Sequence, residues 1–249
     1  MSTTNIDTRF TEYLLHLADD ALILGHRNSE WCGHGPILEQ DIAITNISLD
    51  LIGQARNLYQ YAASLIGQET TEDTLAYLRD PVQFKNNLLA ELPRGDWAVT
   101  ILRQFFFSNY QFLLYSKLQS GQDVQLAAIA AKSLKEVTYH LRWSSEWVIR
   151  LGDGTEGSLK RLQNALSDLW PYTGEFFLPA SYEAGEYDPS GLEPDWRLKT
   201  AEIFQEAGLV MPSSKAGLSG GKEGKHSPDL EFLLEEMQVL PRTYPGATW

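Results

Sequence analysis

The length, composition and charge of the chain exclude several classes of protein. It has 249 residues, of which 43% are hydrophobic, and a net charge of -13. These values are ordinary for a globular protein with a large core, expected here to be a single domain over 1–249. The negative charge argues against nucleic acid or an anionic membrane as a partner, because both require a basic surface.

The cysteine count and the N-terminal segment bear on location. Cys32 is the only cysteine, so no intramolecular disulfide can form, and a reducing cytoplasm is the simplest location. The N-terminal segment has no apolar core, which argues against a signal peptide. The longest apolar runs are far shorter than a membrane span.

Apolar residues recur at helical spacing along most of the chain, and strand patterns are nearly absent. Four long helices stand out, joined pairwise by short turns with a longer crossover between the pairs. This arrangement predicts an all-α protein, a ferritin-like antiparallel four-helix bundle with additional short helices. The predicted helices cover 8–27, 36–65, 69–80, 82–91, 97–119, 124–151, 158–169, 195–207 and 229–240.

The second long helix, 36–65, is the longest apolar element. Pro36 suits its first helical position, and Gly67 suits its end. Because its aliphatic residues fall on most sides, we expect it to be buried on nearly all sides. The C-terminal extension, 170–249, is expected to contain a mobile loop over 211–228, which is rich in glycine, serine and lysine, and then a last helix.

The third long helix is dense in aromatic residues. Phe105, Phe106 and Phe107 are consecutive, so one helix cannot turn all three toward its own bundle core. We therefore expect part of this surface to pack on another subunit or on an added helix.

Four polar residues lie on or near the apolar faces of the four long helices. A dinuclear iron site in such a bundle takes a Glu from each of two helices and a Glu-x-x-His from each of the other two. Asp20, Asp50, Asn109 and Glu136 stand at similar offsets in the two helix pairs. These offsets predict a single polar layer across the bundle. His16, four residues before Asp20, is expected to form an ordinary surface pair with it.

The number of suitable metal ligands then falls short. The residue three after Asp50 is Gly53, and His140 follows Glu136 by four residues instead of three. Asn109 stands where a Glu is required, and a carboxamide is a poor iron ligand. We expect a degenerate layer held by hydrogen bonds, in which Glu136 and His140 pair along the helix, with no metal and no catalytic residue in this chain.

A basic stripe follows the fourth long helix, formed by Lys132, Lys135 and Arg142. In an acidic protein these side chains form either a solvated face or a binding site for a phosphate-bearing ligand or an acidic partner.

Three long segments resemble one known family. They read LILGHRNSEWCGHGPILEQDIAITNISLDLIGQARNLY, RQFFFSNYQFLLY and IAAKSLKEVTYHLRWSSEWVIRLGDGTEGS, and the resemblance runs from about Leu17 to Leu169 and more loosely to Pro212. The family is the structural subunit (PaaC type) of the bacterial phenylacetyl-CoA epoxidase (ring-1,2-epoxidase), a multicomponent monooxygenase. The resemblance implies a ferritin-like fold and a role in opening phenylacetate catabolism.

The resemblance also implies partners and cofactors. A related diiron oxygenase subunit would epoxidise the aromatic ring of phenylacetyl-CoA, and a reductase with flavin and iron-sulfur groups would supply electrons from NADPH. The structural subunit is understood to lack a working metal site, so no catalytic residue carries over to this chain. A hetero-oligomer with the oxygenase and other subunits is implied, with the aromatic-rich helices as interface candidates, and a homodimer is an option for the isolated chain.

Three functions therefore stay open. The preferred one is a non-catalytic scaffold for a diiron oxygenase subunit. The second is an autonomous diiron oxidase that uses Asp20, Asp50, Glu136 and His140. The third is a helical protein that binds an acyl-CoA without chemistry.

Overall fold

The computed structural model describes residues 8–213, 217–245 and 247. That part of the chain contains helices and no β-strand, which confirms the predicted all-α bundle. The α-helices are α1 (Thr8–Ser29), α2 (Leu38–Ile66), α3 (Glu72–Tyr77), α4 (Leu88–Glu91), α5 (Trp97–Leu118), α6 (Val124–Gly152), α7 (Glu156–Leu169), α8 (Glu193–Glu206) and α9 (Pro228–Thr243). Short 3-10 helices cover Pro81–Gln83, Trp170–Phe177, Gly185–Tyr187, Ser190–Leu192 and Gly221–Glu223.

The four long helices pack as two pairs. α1 lies along α2 and α5 lies along α6, and α2 contacts α6 where the pairs meet. Within the described residues, no helix is both long and apolar enough to cross a bilayer.

Capping side chains fix the starts of α5 and α6. Asp96 accepts a hydrogen bond from the backbone N–H of Val99 at 3.0 Å, as its N-cap position predicts, and Asp123 does the same for α6. α2 ends at Gly67, which adopts a φ of 69°. Its predicted start is wrong, because Ile37 is still extended (φ -148°) and the helix begins only at Leu38, two residues after Pro36.

The predicted burial of α2 on nearly all sides is also wrong. Leu38 is 71% exposed, Leu49 61% and Ile42 52%. The opposite face carries the core contacts, including Ile44, Ile47 and Leu51. One side of this apolar helix is therefore not covered by the part of the chain that the structure describes.

The three consecutive phenylalanines of α5 are all fully buried. Their rings pack on aromatic residues of the C-terminal part of the chain, in the pairs Phe105–Phe204, Phe106–Trp196 and Phe107–Phe176. The expectation of an added helix is confirmed, since α8 and the 3-10 helix Trp170–Phe177 supply these partners. The surface formed by these three phenylalanines is therefore covered within the chain, by the second of the two expected partners.

The segment expected to be a mobile loop, 211–228, is anchored in the part that the structure describes. Lys222 is 3% exposed, and its Nζ donates to Glu183 at 2.9 Å. His226 Nδ1 lies 2.7 Å from Glu91 Oε2. The polar composition of this segment predicts mobility, but buried acidic side chains that are distant in sequence hold it in place. Residues 214–216 of the expected loop lie outside the described part.

Candidate functional site

Two pairs of polar side chains join α2 to α6. His140 Nε2 lies 3.0 Å from Asp50 Oδ2, and Gln54 Nε2 donates to Glu136 Oε2 at 2.9 Å. The prediction that Glu136 and His140 pair along their own helix is wrong. Both project toward α2, which offers a carboxylate and an amide with the same spacing of four residues. That matched spacing in the two helices is the sequence signal that could have revealed the pairs.

The two pairs differ in exposure. The Asp50 side chain is 38% exposed, whereas His140 is fully buried and its Nδ1 has no hydrogen-bond partner among the described residues. An imidazole with one nitrogen bonded to a carboxylate is held in a fixed orientation. The arrangement is a rigid link between helices with an open edge at Asp50.

Asp20 belongs to a different part of the core. Its carboxylate accepts hydrogen bonds from the backbone N–H and the side-chain amide of Asn87, each at 2.6 Å. Burial raises the pKa of Asp20 to about 6, although the charge of His16 and the bonds from Asn87 oppose the rise. Asp20 is therefore a structural acceptor for the chain entering α4.

The antiparallel register explains why Asp20 and Asp50 do not form one layer. Tyr59 of α2 donates to Asp19 of α1, so the residue level with Asp20 on α2 lies about two turns, or roughly 10 Å, beyond Asp50. Similar offsets in two helix pairs did not place the polar residues at one height.

Asn109 of α5 is directed to the C-terminal extension. Its Nδ2 donates to the carbonyl of Trp196 at 2.9 Å and to Thr200 Oγ1 at 3.2 Å. This amide therefore stabilises the packing of α8 on α5.

The candidate residues do not fit a diiron centre. A dinuclear site requires four carboxylates and two imidazoles directed at one space. Of the five candidates, Asp50 and His140 make direct contact, while the others bond to Asn87, Gln54 and the α8 backbone. Within the described residues, no three His, Cys, Asp or Glu side chains are placed to hold a metal ion.

The basic stripe lies on the outside of α6. Lys132, Lys135 and Arg142 are exposed. Among the described residues, the lysines in ion pairs are Lys85, Lys199 and Lys222, so neither lysine of the stripe has a carboxylate partner. The Arg142 guanidinium lies 5.8 Å from the centre of the Tyr139 ring. Arg142 also lines an open groove between α5, α6 and α8, of about 550 Å³, whose apolar floor includes Phe112 and Ile203. The two lysines are not among the residues that line this groove.

A buried charged cluster that the sequence did not reveal lies beside Asp20. His16, expected on the surface, is fully buried, with its Nδ1 2.7 Å from the carbonyl of Lys85 and its Nε2 3.6 Å from Glu183. Glu183 in turn pairs with Lys222 at 2.9 Å. The spacing of His16 within the apolar face of α1 was a signal of its burial, but its partner 167 residues away had none.

A second buried network joins α1, α2 and the segment after α3. Arg79 donates to both carboxylate oxygens of Asp19, through Nη1 at 3.1 Å to one and through Nη2 to the other. Its Nη2 also donates to the hydroxyl of Tyr59 at 3.1 Å. Both networks join segments that are distant in the sequence.

The whole chain matches known proteins of one family. A family model described as phenylacetic acid catabolic protein matches residues 1–249. The chain belongs to this family. A relative from Escherichia coli (strain K12), one of the subunits of its 1,2-phenylacetyl-CoA epoxidase, is 45% identical over 247 residues, which cover 97% of this chain and 99% of that relative.

Membership among the phenylacetic acid catabolic proteins confirms the family that the three segments indicated. It supports a role in phenylacetate catabolism. The match extends over the C-terminal part, where the resemblance in the sequence is looser, so the segments that cover α5 lie within the matched region.

Proposed function

We propose that this protein is a non-catalytic structural subunit of a phenylacetyl-CoA epoxidase complex in aerobic phenylacetate degradation. It would pair with the diiron oxygenase subunit of that complex and stabilise it. The observation that carries the proposal is the combination of 45% identity to a phenylacetyl-CoA epoxidase subunit with polar residues that bond to separate partners instead of converging on a metal.

The division of cofactors follows from the same observation. The diiron centre, the flavin and iron-sulfur groups and the NADPH site would lie on partner subunits. In this chain Asp20 and Asn109 already use their polar atoms to fix α4 and α8. Moving them onto a metal would leave buried backbone groups without partners, which costs about 1–3 kcal/mol for each group.

The physical role of the subunit would be to present a rigid surface. The two α2–α6 pairs and the aromatic packing of α5 hold the four long helices in one arrangement. A rigid partner lowers the entropic cost of ordering the helices that dock on it. The oxygenase subunit would thereby keep its metal ligands in a competent geometry.

The test is reconstitution with altered polar residues. The triple variant Asp50→Asn, Glu136→Gln, His140→Gln is combined with the oxygenase and reductase subunits, and epoxidation of phenylacetyl-CoA is measured together with assembly. We expect activity close to that of the wild type wherever the complex assembles, and no activity when this chain is omitted. An assembled complex that has lost turnover, or epoxidation by this chain without the oxygenase subunit, would overturn the proposal.

The groove between α5, α6 and α8 favours a second candidate, the binding of a CoA ester. Its apolar floor suits an acyl or aryl group, and Arg142 at its rim suits a phosphate. Lys132 and Lys135 would add to the positive charge on the same helix. Isothermal titration with phenylacetyl-CoA tests this candidate. Saturable binding that is lost in the Lys135→Glu, Arg142→Glu variant supports it, and the absence of binding excludes it.

A further inference from the structure

Arg103 is a buried cation in the first half of α5. Its side chain is fully buried. Its Nη1 donates to the backbone carbonyls of Leu92 and Pro93, in the connection that leads into α5. In the part of the chain that the structure describes, no ion pair includes Arg103. A buried charge is costly unless it is paired, so the state of this guanidinium requires an explanation.

The guanidinium of Arg103 has an unused side. A guanidinium carries five N–H groups, one at Nε and two at each Nη. The two at Nη1 suffice for the carbonyls of Leu92 and Pro93. Nε and Nη2 are buried and have no hydrogen-bond partner among the described residues. These two nitrogens form the edge of the guanidinium that can hold an anion with two parallel hydrogen bonds. Arg103 therefore presents an anion-binding edge inside the protein.

Arg27 shows how the same edge is used elsewhere in this chain. Its Nε and Nη2 both donate to the carbonyl of Glu91, at 3.0 and 2.7 Å. Its Nη1 donates to the carboxylate of Glu30 at 2.9 Å. Arg27 therefore has an acceptor for this edge and a partner of negative charge, whereas Arg103 has neither. The carboxylate of Glu91 is paired with His226 instead.

The surroundings of Arg103 carry an excess of positive charge, although the chain has a net charge of -13. Arg94 adds a third guanidinium to the same connection, and its Nη1 donates to the backbone carbonyl of Glu30 at 2.8 Å. Backbone carbonyls satisfy N–H groups but neutralise no charge. Burial and the charge of Arg27 lower the pKa of Arg103 to about 9, and the charge of Glu30 opposes this. Arg103 is therefore still protonated at neutral pH.

We propose that the Nε–Nη2 edge of Arg103 binds a small monovalent anion of about the size of chloride. One fully buried cation lacks a counter-charge, so one negative charge completes the site. A halide ion can accept from both nitrogens at once, whereas a multivalent oxyanion would lose far more hydration in a buried position. With the anion bound, the arginines hold the connection between α4 and α5 against α1. The proposal does not depend on the function proposed above.

The direct test uses crystals of the wild-type chain soaked in bromide, which substitutes for chloride and can be located by its anomalous scattering. We expect a bromide ion within hydrogen-bond distance of both Nε and Nη2 of Arg103. A water molecule at this edge, or an edge that contacts protein atoms alone, overturns the proposal, even if bromide binds elsewhere on the molecule.

Thermal unfolding of the full chain tests whether the anion binds in solution. Bromide replaces gluconate, a much larger monovalent anion, at constant ionic strength, so that screening of the acidic chain does not change. Because the anion would bind only the folded state, the unfolding midpoint of the wild type should rise by roughly 3–5 °C for each tenfold increase in bromide above its dissociation constant. Equal midpoints in bromide and gluconate contradict the proposal.

Two variants assign the effect to Arg103. Arg103→Met removes the charge and the edge but keeps a long side chain, so bromide should no longer raise its midpoint. Arg94→Met is the matched control. It removes a cation of the same cluster, one whose guanidinium lies 4.6 Å from the centre of the Trp31 ring, and should keep the bromide-dependent rise. A rise that persists in Arg103→Met overturns the proposal. If Arg103→Met does not fold, the bromide position in the wild-type crystals decides.

Discussion

Two apolar helices of this protein, α5 and α2, have opposite relations to the rest of the chain. α5 has aromatic residues on several sides, and the chain itself covers them with α8 and the Trp170–Phe177 helix. α2 is rich in aliphatic residues, and one face of it has no cover among the described residues. The difference shows that apolarity around a helix predicts contact with something, but not whether that partner belongs to the same chain.

The reason lies in long-range packing. The partners of α5 follow it by about 70 to 100 residues: Phe176 lies in a turn-rich segment, and Trp196 and Phe204 lie on the helix predicted over 195–207. Periodicity reports on one helix at a time and contains no information about such partners. In the described part of the chain, α2 has no comparable segment folded over its outer face.

The largest expected effect comes from truncation of the covered helix. Phe106→Ala should lower the free energy of unfolding by about 3–5 kcal/mol, because it removes a fully buried ring that contacts Trp170 and Trp196. Leu49→Ala on the exposed face of α2 is the matched control and should change the free energy of unfolding by less than about 0.5 kcal/mol. Urea denaturation of both variants at low protein concentration checks the contrast, and similar losses at the two positions would contradict it.

A somewhat smaller effect is expected where the C-terminal segment is anchored. Lys222→Met should cost about 3 kcal/mol, because it leaves Glu183 buried beside His16 without its ammonium partner. The double variant Lys222→Met, Glu183→Gln should recover part of this loss, since no unpaired charge remains. The exposed pair of Arg197 and Glu193 is the control, and Arg197→Ala should cost less than about 0.5 kcal/mol. A Lys222→Met variant as stable as the wild type would show that the segment is not anchored.

The pH dependence of stability tests the burial of Asp20. Its pKa is about 6 in the folded protein against 3.8 ordinarily, so the folded state holds its proton more tightly than the unfolded state. The contribution of Asp20 to the free energy of unfolding is fully present below about pH 4. It is lost as the pH rises through about 6, which lowers the free energy of unfolding by roughly 3 kcal/mol. Asp20→Asn cannot titrate, so the difference in unfolding free energy between wild type and variant should change by that amount between pH 4 and 7. If the unfolding free energies of the wild type and the variant changed in parallel with pH, the burial of Asp20 would be contradicted.

The smallest effect is expected at the open edge of the α2–α6 link. Asp50→Asn should lower the free energy of unfolding by about 1 kcal/mol or less, because the side chain is 38% exposed and an asparagine oxygen can still accept from His140. Thermal denaturation with and without added ferrous iron provides the measurement. A loss that appears only with iron present would indicate a metal ligand.

The sequence predicted much of the fold and less of the site. The helices of the bundle could be predicted from periodicity and from caps such as Asp96, because both are local signals. The polar candidates were identified, but their partners were not, since the height of Asp20 relative to Asp50 depends on the register between two helices. The glycine, serine and lysine content around Lys222 and His226 predicts a mobile loop, and the buried partners that anchor them, Glu183 and Glu91, are distant in sequence.

The central claim is that this chain supports a diiron oxygenase without holding iron itself. The most direct test is the iron content of the protein expressed alone in iron-replete medium and purified without chelators. The proposed structural role predicts less than about a tenth of an iron atom per chain, whereas a working dinuclear site requires about two. A content close to two irons per chain, with the near-ultraviolet absorption of an oxo-bridged pair, would contradict it.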